Sequence, residues 1–328
     1  MGELLGLAGQ NLLTPMILSF ALGLFAAIAR SELSVPEAAA KMMSIYLLFA
    51  IGFKGGVAVA GHGLDGHLIA AMLGGVALSL LMPVAAFALL RVMTRVSAVD
   101  AAAIAAHYGS ISIVTFVTAS TVLTAQGIAS EGYMVAVAAA MEAPAIVSAM
   151  WLAARSGGAA GQVRMDARLW HEILLNGSIV LLVGAFLIGA VTGEAGLARI
   201  DAFIVAPFQG VLCLFLLDMG LVAGRGLRSA RSVITPGLLG FGILMPVLGA
   251  AAGLAVAVMI GLGVGGAALM MTLAASASYI AVPAAMRVAL PAANPSISLT
   301  LALGITFPFN LTFGIPAYMA VAQALIGA

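Results

Sequence analysis

The chain has 328 residues, 63% of them hydrophobic and 8% charged, with a mean hydropathy of +1.21. A water-soluble domain carries about a quarter charged residues, so polar surface is too scarce here to cover a soluble globule, and a bilayer is the solvent this composition requires. The net charge of +1 implies no nucleic-acid partner, and a single cysteine, Cys213, excludes an internal disulfide and a cysteine metal cluster.

The N-terminal stretch MGELLGLAGQNLL has no positive leader and carries Glu3, so no cleaved signal peptide is expected. Ten apolar runs follow, each of about the 20 residues a span needs. The first half holds 13–30, 37–60, 67–92, 98–123 and 131–154; the second holds 171–192, 200–223, 236–261, 264–290 and 298–326. Their length, their Ala/Leu content and the lack of period-two alternation predict helices rather than barrel strands. One polar linker of note, SGGAAGQVRMDAR at 156–168, separates five runs from five.

Lysine and arginine divide sharply between the connections. Eleven lie in or beside those after runs 1, 3, 5, 7 and 9, against two, Lys54 and Arg199, on the other side. The positive-inside rule makes the odd connections cytoplasmic and places both termini outside the plasma (inner) membrane. Five spans per half is an odd number, so the second half enters from the opposite face, as in an inverted repeat. Leu48-Phe49 and Leu214-Phe215 match at a shift of 166, and the same shift lays Ser110-Ile111-Ser112 on Ser276-Ala277-Ser278. The expected fold is an all-α polytopic membrane protein of about ten transmembrane helices. They form two inverted five-helix repeats, 1–155 and 169–328 around the linker, with helices 4 and 9 broken.

The break is expected where run 4 reads Gly109-Ser110-Ile111-Ser112. Glycine weakens a helix by about 1 kcal/mol relative to alanine, and Ser110, Ser112 and Thr115 compete for backbone hydrogen bonds. A lone serine in a membrane helix usually bonds back to its own backbone or packs on a neighbour. Here a second cluster, Ser276-Ala277-Ser278-Tyr279 with Pro283 beyond it, repeats the pattern. Breaks at both places would set two half-helix N-termini face to face, with serines able to cap them or to donate to a ligand. Such ends bind anions, and the carbonyl ends of the preceding half-helices suit a hard cation such as sodium.

Few ionisable groups lie within the spans. Glu142, in MEAPAI of run 5, is the sharpest, because a carboxylate at that depth faces a cavity or a partner. Its counterpart in run 10 is TFPFNLTF, where Pro308 aligns with Pro144. Glu142, Thr306 and Asn310 are candidate cation ligands or lie just behind them, and Thr115 joins them from run 4; a helix-packing polar cluster is the other reading. Asp218 and Lys54 could form a buried pair, although a lysine so placed ordinarily snorkels to the interface. His107, Tyr108 and Asp218 are further candidates; a lone histidine such as His107 is more often a hydrogen-bonded core residue. Three other classes compete with an anion symporter. An intramembrane enzyme would need paired aspartates, a Ser/His dyad or a metal cluster, and none is evident. A channel fits inverted broken helices less well than alternating access does. A cation/proton antiporter would work through Glu142.

Four motifs carry a resemblance: IYLLFAIGFKGG (45–56), AAHYGSISIVTF (105–116), EGYMVAVAAAMEAPAI (131–146) and LCLFLLDMG (212–220). They resemble, in matching order and spacing over nearly the whole chain, the sodium-dependent bicarbonate transporter family best known from cyanobacteria. The resemblance implies a homotrimer in which a core domain, about 67–155 with 236–328, moves against a gate or scaffold domain, about 1–66 with 169–235. It implies bicarbonate as substrate, sodium as the co-transported ion with no organic cofactor, and an anion site at the two Ser-x-Ser breaks. Cyanobacterial members are regulated by a small PII-like cytoplasmic protein. The short central loop and Ala/Gly-rich composition depart from that pattern, which puts such a regulator in doubt here and leaves room for another small monocarboxylate-like anion.

Overall fold

The computed structural model describes residues 14–62, 66–155, 171, 175, 177–229 and 234–327. The linker 156–168, the stretch before Thr14 and residues 172–174 and 176 of the sixth run lie outside the described residues. Among the described residues thirteen helical segments follow in chain order: α1 Pro15–Ile28, α2 Glu37–His62, α3 Gly66–Met93, α4 Ala98–Gly109, α5 Ile113–Ala125, α6 Met134–Ala140, α7 Pro144–Arg155, α8 Gly177–Ile204, α9 Phe208–Ser229, α10 Pro236–Ile260, α11 Val264–Ala275, α12 Ala281–Ala289 and α13 Pro295–Ile326. No strand occurs among the described residues.

The helix starts follow from local chemistry. Thr14, Thr235 and Asn294 each precede a proline, and each side chain accepts a backbone N–H of the first turn. A polar cap followed by a ring with no N–H to strand is a strong start signal. Gly261 ends α10 in the left-handed conformation at φ 72°, which a glycine adopts without steric penalty.

Among the described residues eight spans are long and apolar enough to cross a bilayer, two of them built from helices laid end to end: α4 with α5, and α6 with α7. The first and ninth expected runs correspond to shorter apolar helices, Pro15–Ile28 and Val264–Ala275. The seventh run, expected from 200, begins later, at Phe208. Gly193 kinks α8 one residue past the expected end at 192, and the helix then runs on to Ile204. The most apolar window of Ala98–Ala125 is wholly buried, whereas only 17% of that of Gly177–Ile204 is, so α4 and α5 lie at the centre and α8 at the rim.

Close helix contacts rest on glycines whose partners' backbone leaves no room for a side chain. α2 packs along α8. A side chain at Gly56 would strike the Phe186 carbonyl, one at Gly52 would come within 2.6 Å of the Leu182 carbonyl, and one at Gly189 would strike the Phe53 carbonyl. α9 packs along α1 in the same way, with Gly220 against the Phe20 carbonyl and Gly23 against the Leu217 carbonyl. Lipid tails give helices no hydrophobic reason to associate, so backbone approach of this kind is what holds membrane helices together. α10 packs on α11 through Gly249 and Gly253, and α3 packs on α4 and α7.

Spans 4 and 9 run antiparallel. At one end the Asp100 Oδ1 accepts the Asn294 N–H at 2.8 Å; at the other the Glu131 Oε1 accepts the Gly263 N–H at 2.8 Å. The two residue pairs exchange under a shift of 163.

Candidate functional site

The chain leaves helical geometry between Gly109 and Ile113. Ser110 is extended (φ −84°, ψ 177°) at the end of α4, and Ser112 is the N-cap of α5. Ser112 Oγ accepts both the Thr115 N–H (3.2 Å) and the Thr115 hydroxyl (2.8 Å). Capping therefore falls to Ser112, and not to Ser110 as well. Gly109 has a different reason from the one its helix propensity suggests. A side chain there would strike the Pro83 ring and come within 2.9 Å of the Ala145 Cβ, so the glycine lets α4 close on α3 and α7.

The second interruption, between Ala275 and Ala281, is longer. Ser276 ends α11, and Ser278 Oγ accepts the Val282 N–H only at 3.4 Å. Pro283 sits in the first turn of α12, where its missing N–H matters least.

The two interruptions touch. The Ser112 N–H donates to Ser276 Oγ at 2.8 Å, and that hydroxyl donates to the Leu273 carbonyl at 2.8 Å. The Ser278 N–H donates to the His107 carbonyl at 2.7 Å, and His107 Nδ1 lies 2.6 Å from the Ser278 carbonyl. A carbonyl cannot donate, so Nδ1 carries the proton and His107 ties the two interruptions together. Ser110, Ser112, Ser276 and Ser278 are all buried. The Ser110 and Tyr279 hydroxyls are buried without a hydrogen-bond partner, Tyr279 standing beside Ser112 but outside hydrogen-bond geometry. Ile111 and Ala277 are the buried apolar residues between the serines. The crossing thus holds hydroxyl protons that no acceptor of the protein takes up within hydrogen-bond geometry.

Two residues of α13 tie it to this crossing. Thr306 donates to the Gly242 carbonyl at 2.7 Å, so the 2.6 Å contact between Tyr108 and Thr306 has Tyr108 as donor. Asn310 donates to the Ala275 carbonyl at 2.9 Å and accepts the Tyr318 hydroxyl at 2.8 Å. Both lie in widened π-helical turns, Ala302–Thr306 and Asn310–Gly314, on either side of Pro308. Such turns absorb a proline that cannot donate, and they recur at functional sites.

Glu142 lies in the turn between α6 and α7. It is 3% exposed, and its Oε2 has no partner. Among the described residues no hydrogen bond joins it to Thr306 or Asn310. Asp218 is buried on α9 in the field of Arg225. Lys54 does not pair with it and instead stands 5.2 Å from the centre of the Phe208 ring. Of the later hydroxyls of run 4, Thr118 and Thr121 bond back to the carbonyls of Val114 and Val117.

Cavities approach the crossing from its two ends. One of about 490 Å³ is lined by Lys54, Phe116, Thr124, Glu131, Gln209 and Leu269. The other, about 130 Å³, is lined by His107, Pro283, Arg287, Pro291 and Ser298. None of the four serines of the crossing lines the first, and among them none lines the second. Two residues invisible to sequence reasoning emerge here: Glu131, which caps α11 from another span, and Ser79, a single serine in the apolar run of α3.

A buried crossing of two interrupted antiparallel spans, approached by cavities from opposite ends, belongs to a multi-pass membrane transporter. The family model for the Na+-dependent bicarbonate transporter superfamily matches residues 15–323. The chain belongs to that superfamily, which makes it a transporter of a sodium-dependent family. Among curated proteins no sequence matches it.

Proposed function

We propose that this protein is a sodium-coupled symporter that imports bicarbonate by alternating access, with the anion held where Gly109–Ser112 crosses Ser276–Tyr279. One observation carries the reading: the crossing gathers two buried hydroxyls, Ser110 with no hydrogen-bond partner and Tyr279 beside Ser112 but outside hydrogen-bond geometry. A small anion is an acceptor with no need of a donor in return, and the α5 N-terminus adds a partial positive charge. Ser112, Ser276 and Ser278 position the two segments, and His107 holds them in register.

Sodium is assigned to Glu142 first. A buried carboxylate oxygen without a donor is strongly disfavoured unless a cation or a proton joins it. Thr115 keeps its oxygen lone pairs free, since its hydroxyl donates to Ser112. Thr306 and Asn310 take the lesser part, because both are already occupied in joining helices.

The packing of α2 on α8 and α1 on α9, and of α10 on α11 and α3 on α4 and α7, supports a division into scaffold and core. The exchanged contacts at Asp100–Asn294 and Glu131–Gly263 support inverted repeats. An elevator-like movement between these groups, a homotrimeric assembly in the inner membrane and termini outside complete the proposal. Its test is uptake of labelled bicarbonate into proteoliposomes under an inward sodium gradient, compared with potassium. Uptake that ignores sodium rejects symport. Absence of bicarbonate uptake, with formate or acetate transported instead, assigns another small anion.

A further inference from the structure

Span 5 is opened by a side chain from another helix. Pro144 has no N–H to give to Ala140, and the next amide, Ala145, should bond the Met141 carbonyl four residues back. It does not. The Ala145 N–H donates to Ser79 Oγ at 3.1 Å, and Ser79 Oγ donates to the Met141 carbonyl at 2.7 Å. The hydroxyl stands inside the very bond that would close the helix. The next amide, Ile146, reaches only as far back as Ala143, at 3.1 Å. Glu142 occupies the turn so opened, with its unpartnered carboxylate oxygen. Ser79 itself is fully buried, its donor and one acceptor site both used on this one turn.

We infer that Ser79 is a positioning residue for the cation site, holding span 5 open so that Glu142 and its backbone face the ion. The inference rests on the reading of Glu142 as a sodium ligand. A side chain inserted into the backbone ladder is one of the few causes of a local helix opening, and here the inserted group is a neutral hydroxyl that itself needs no ion. Removing it strands nothing. In Ser79→Ala the Ala145 N–H and the Met141 carbonyl are free to bond each other directly, so the helix heals and Glu142 is drawn into a regular turn. The fold survives while the ion site does not.

The test uses the full-length protein in proteoliposomes, with sodium replaced stepwise by choline, and in detergent, with sodium-dependent thermal stabilisation as a readout independent of transport. Ser79→Ala should raise half-saturating sodium tenfold or more and lose most of the thermal response. Half-saturating bicarbonate at saturating sodium should move less than twofold, and Ser79→Thr, which keeps the hydroxyl, should stay close to wild type. A wild-type sodium curve in Ser79→Ala, beside a lost response in Glu142→Gln, overturns the inference and leaves the cation reading standing. An equal shift of sodium and bicarbonate requirements also overturns it, since that is what a general packing defect produces. An intact sodium response in Glu142→Gln removes the cation reading and this inference together. Should Ser79→Ala not fold, Ser79→Cys decides by the same curve, with a raised sodium requirement expected and an unchanged one overturning.

Discussion

Ser110 and Ser276 are related by the internal shift, yet their hydroxyls are in opposite situations. Ser276 Oγ accepts the Ser112 N–H and donates to the Leu273 carbonyl. Ser110 Oγ is buried with no partner. Substituting each by alanine should therefore separate stability from transport. In Ser276→Ala the Ser112 N–H is left buried and unpaired, a loss of about 1–3 kcal/mol, or roughly 0.6 kcal/mol if the segment relaxes as membrane hydrogen bonds often allow. In Ser110→Ala an unsatisfied hydroxyl disappears, so stability should hold or rise by about 1 kcal/mol. Transport should move the other way. A hydrogen bond to a charged ligand contributes about 1.5–3 kcal/mol, so Ser110→Ala should weaken bicarbonate affinity by roughly 10- to 100-fold. The assay pairs unfolding temperature in detergent at one scan rate with half-saturating bicarbonate in proteoliposomes. If Ser110→Ala unfolds as early as Ser276→Ala and transports with unchanged affinity, the unpartnered hydroxyl is not a ligand and the anion site lies elsewhere.

Other substitutions probe the surrounding structure. Gly109→Ala places a methyl group against the Pro83 ring and Ala145, and overpacking of this kind costs about 1–3 kcal/mol; it should lower the unfolding temperature, while Gly127→Ala, a loop control with open space around it but a positive φ, should lower it less and leave uptake intact. Tyr108→Phe removes one donor and leaves Thr306 satisfied through Gly242, so it should cost less than Thr306→Val, which strands the buried Tyr108 hydroxyl; the ranking of the two melting curves checks this. Among the described residues Lys54 is the one cation lining the cavity of about 490 Å³. Lys54→Gln should raise half-saturating bicarbonate two- to fivefold at low ionic strength, with maximal rate unchanged, and the difference should fade as salt screens the charge.

Much of this architecture could be read before any coordinates existed. Hydropathy placed the spans because a bilayer imposes their length, and Ser-x-Ser in two related windows marked both interruptions. What escaped the sequence depends on partners distant along the chain. Gly109 read as a helix breaker, whereas its cause is the Pro83 ring. Ser110 and Ser112 read as equivalent caps, and only the meeting with Ser276 makes one a cap and leaves the other unpartnered. Thr306 and Asn310 were expected beside Glu142 because aligned prolines related their runs. That each also bonds to a distant carbonyl, at Gly242 and Ala275, could not be read from the runs themselves. Ser79 looked like any solitary hydroxyl in an apolar helix, since nothing in its own neighbourhood announces a broken ladder in another span.

The pairing of α2 with α8 and of α1 with α9 bears on how the chain is made. The glycine faces of the first two helices meet partners encoded only in the second half. As synthesis proceeds, those faces wait in lipid until helices translated much later arrive to cover them. The two halves are therefore interlocked rather than joined end to end. A gene cut within the segment 156–168 should yield two polypeptides that are each degraded when made alone and that persist when made together in one membrane.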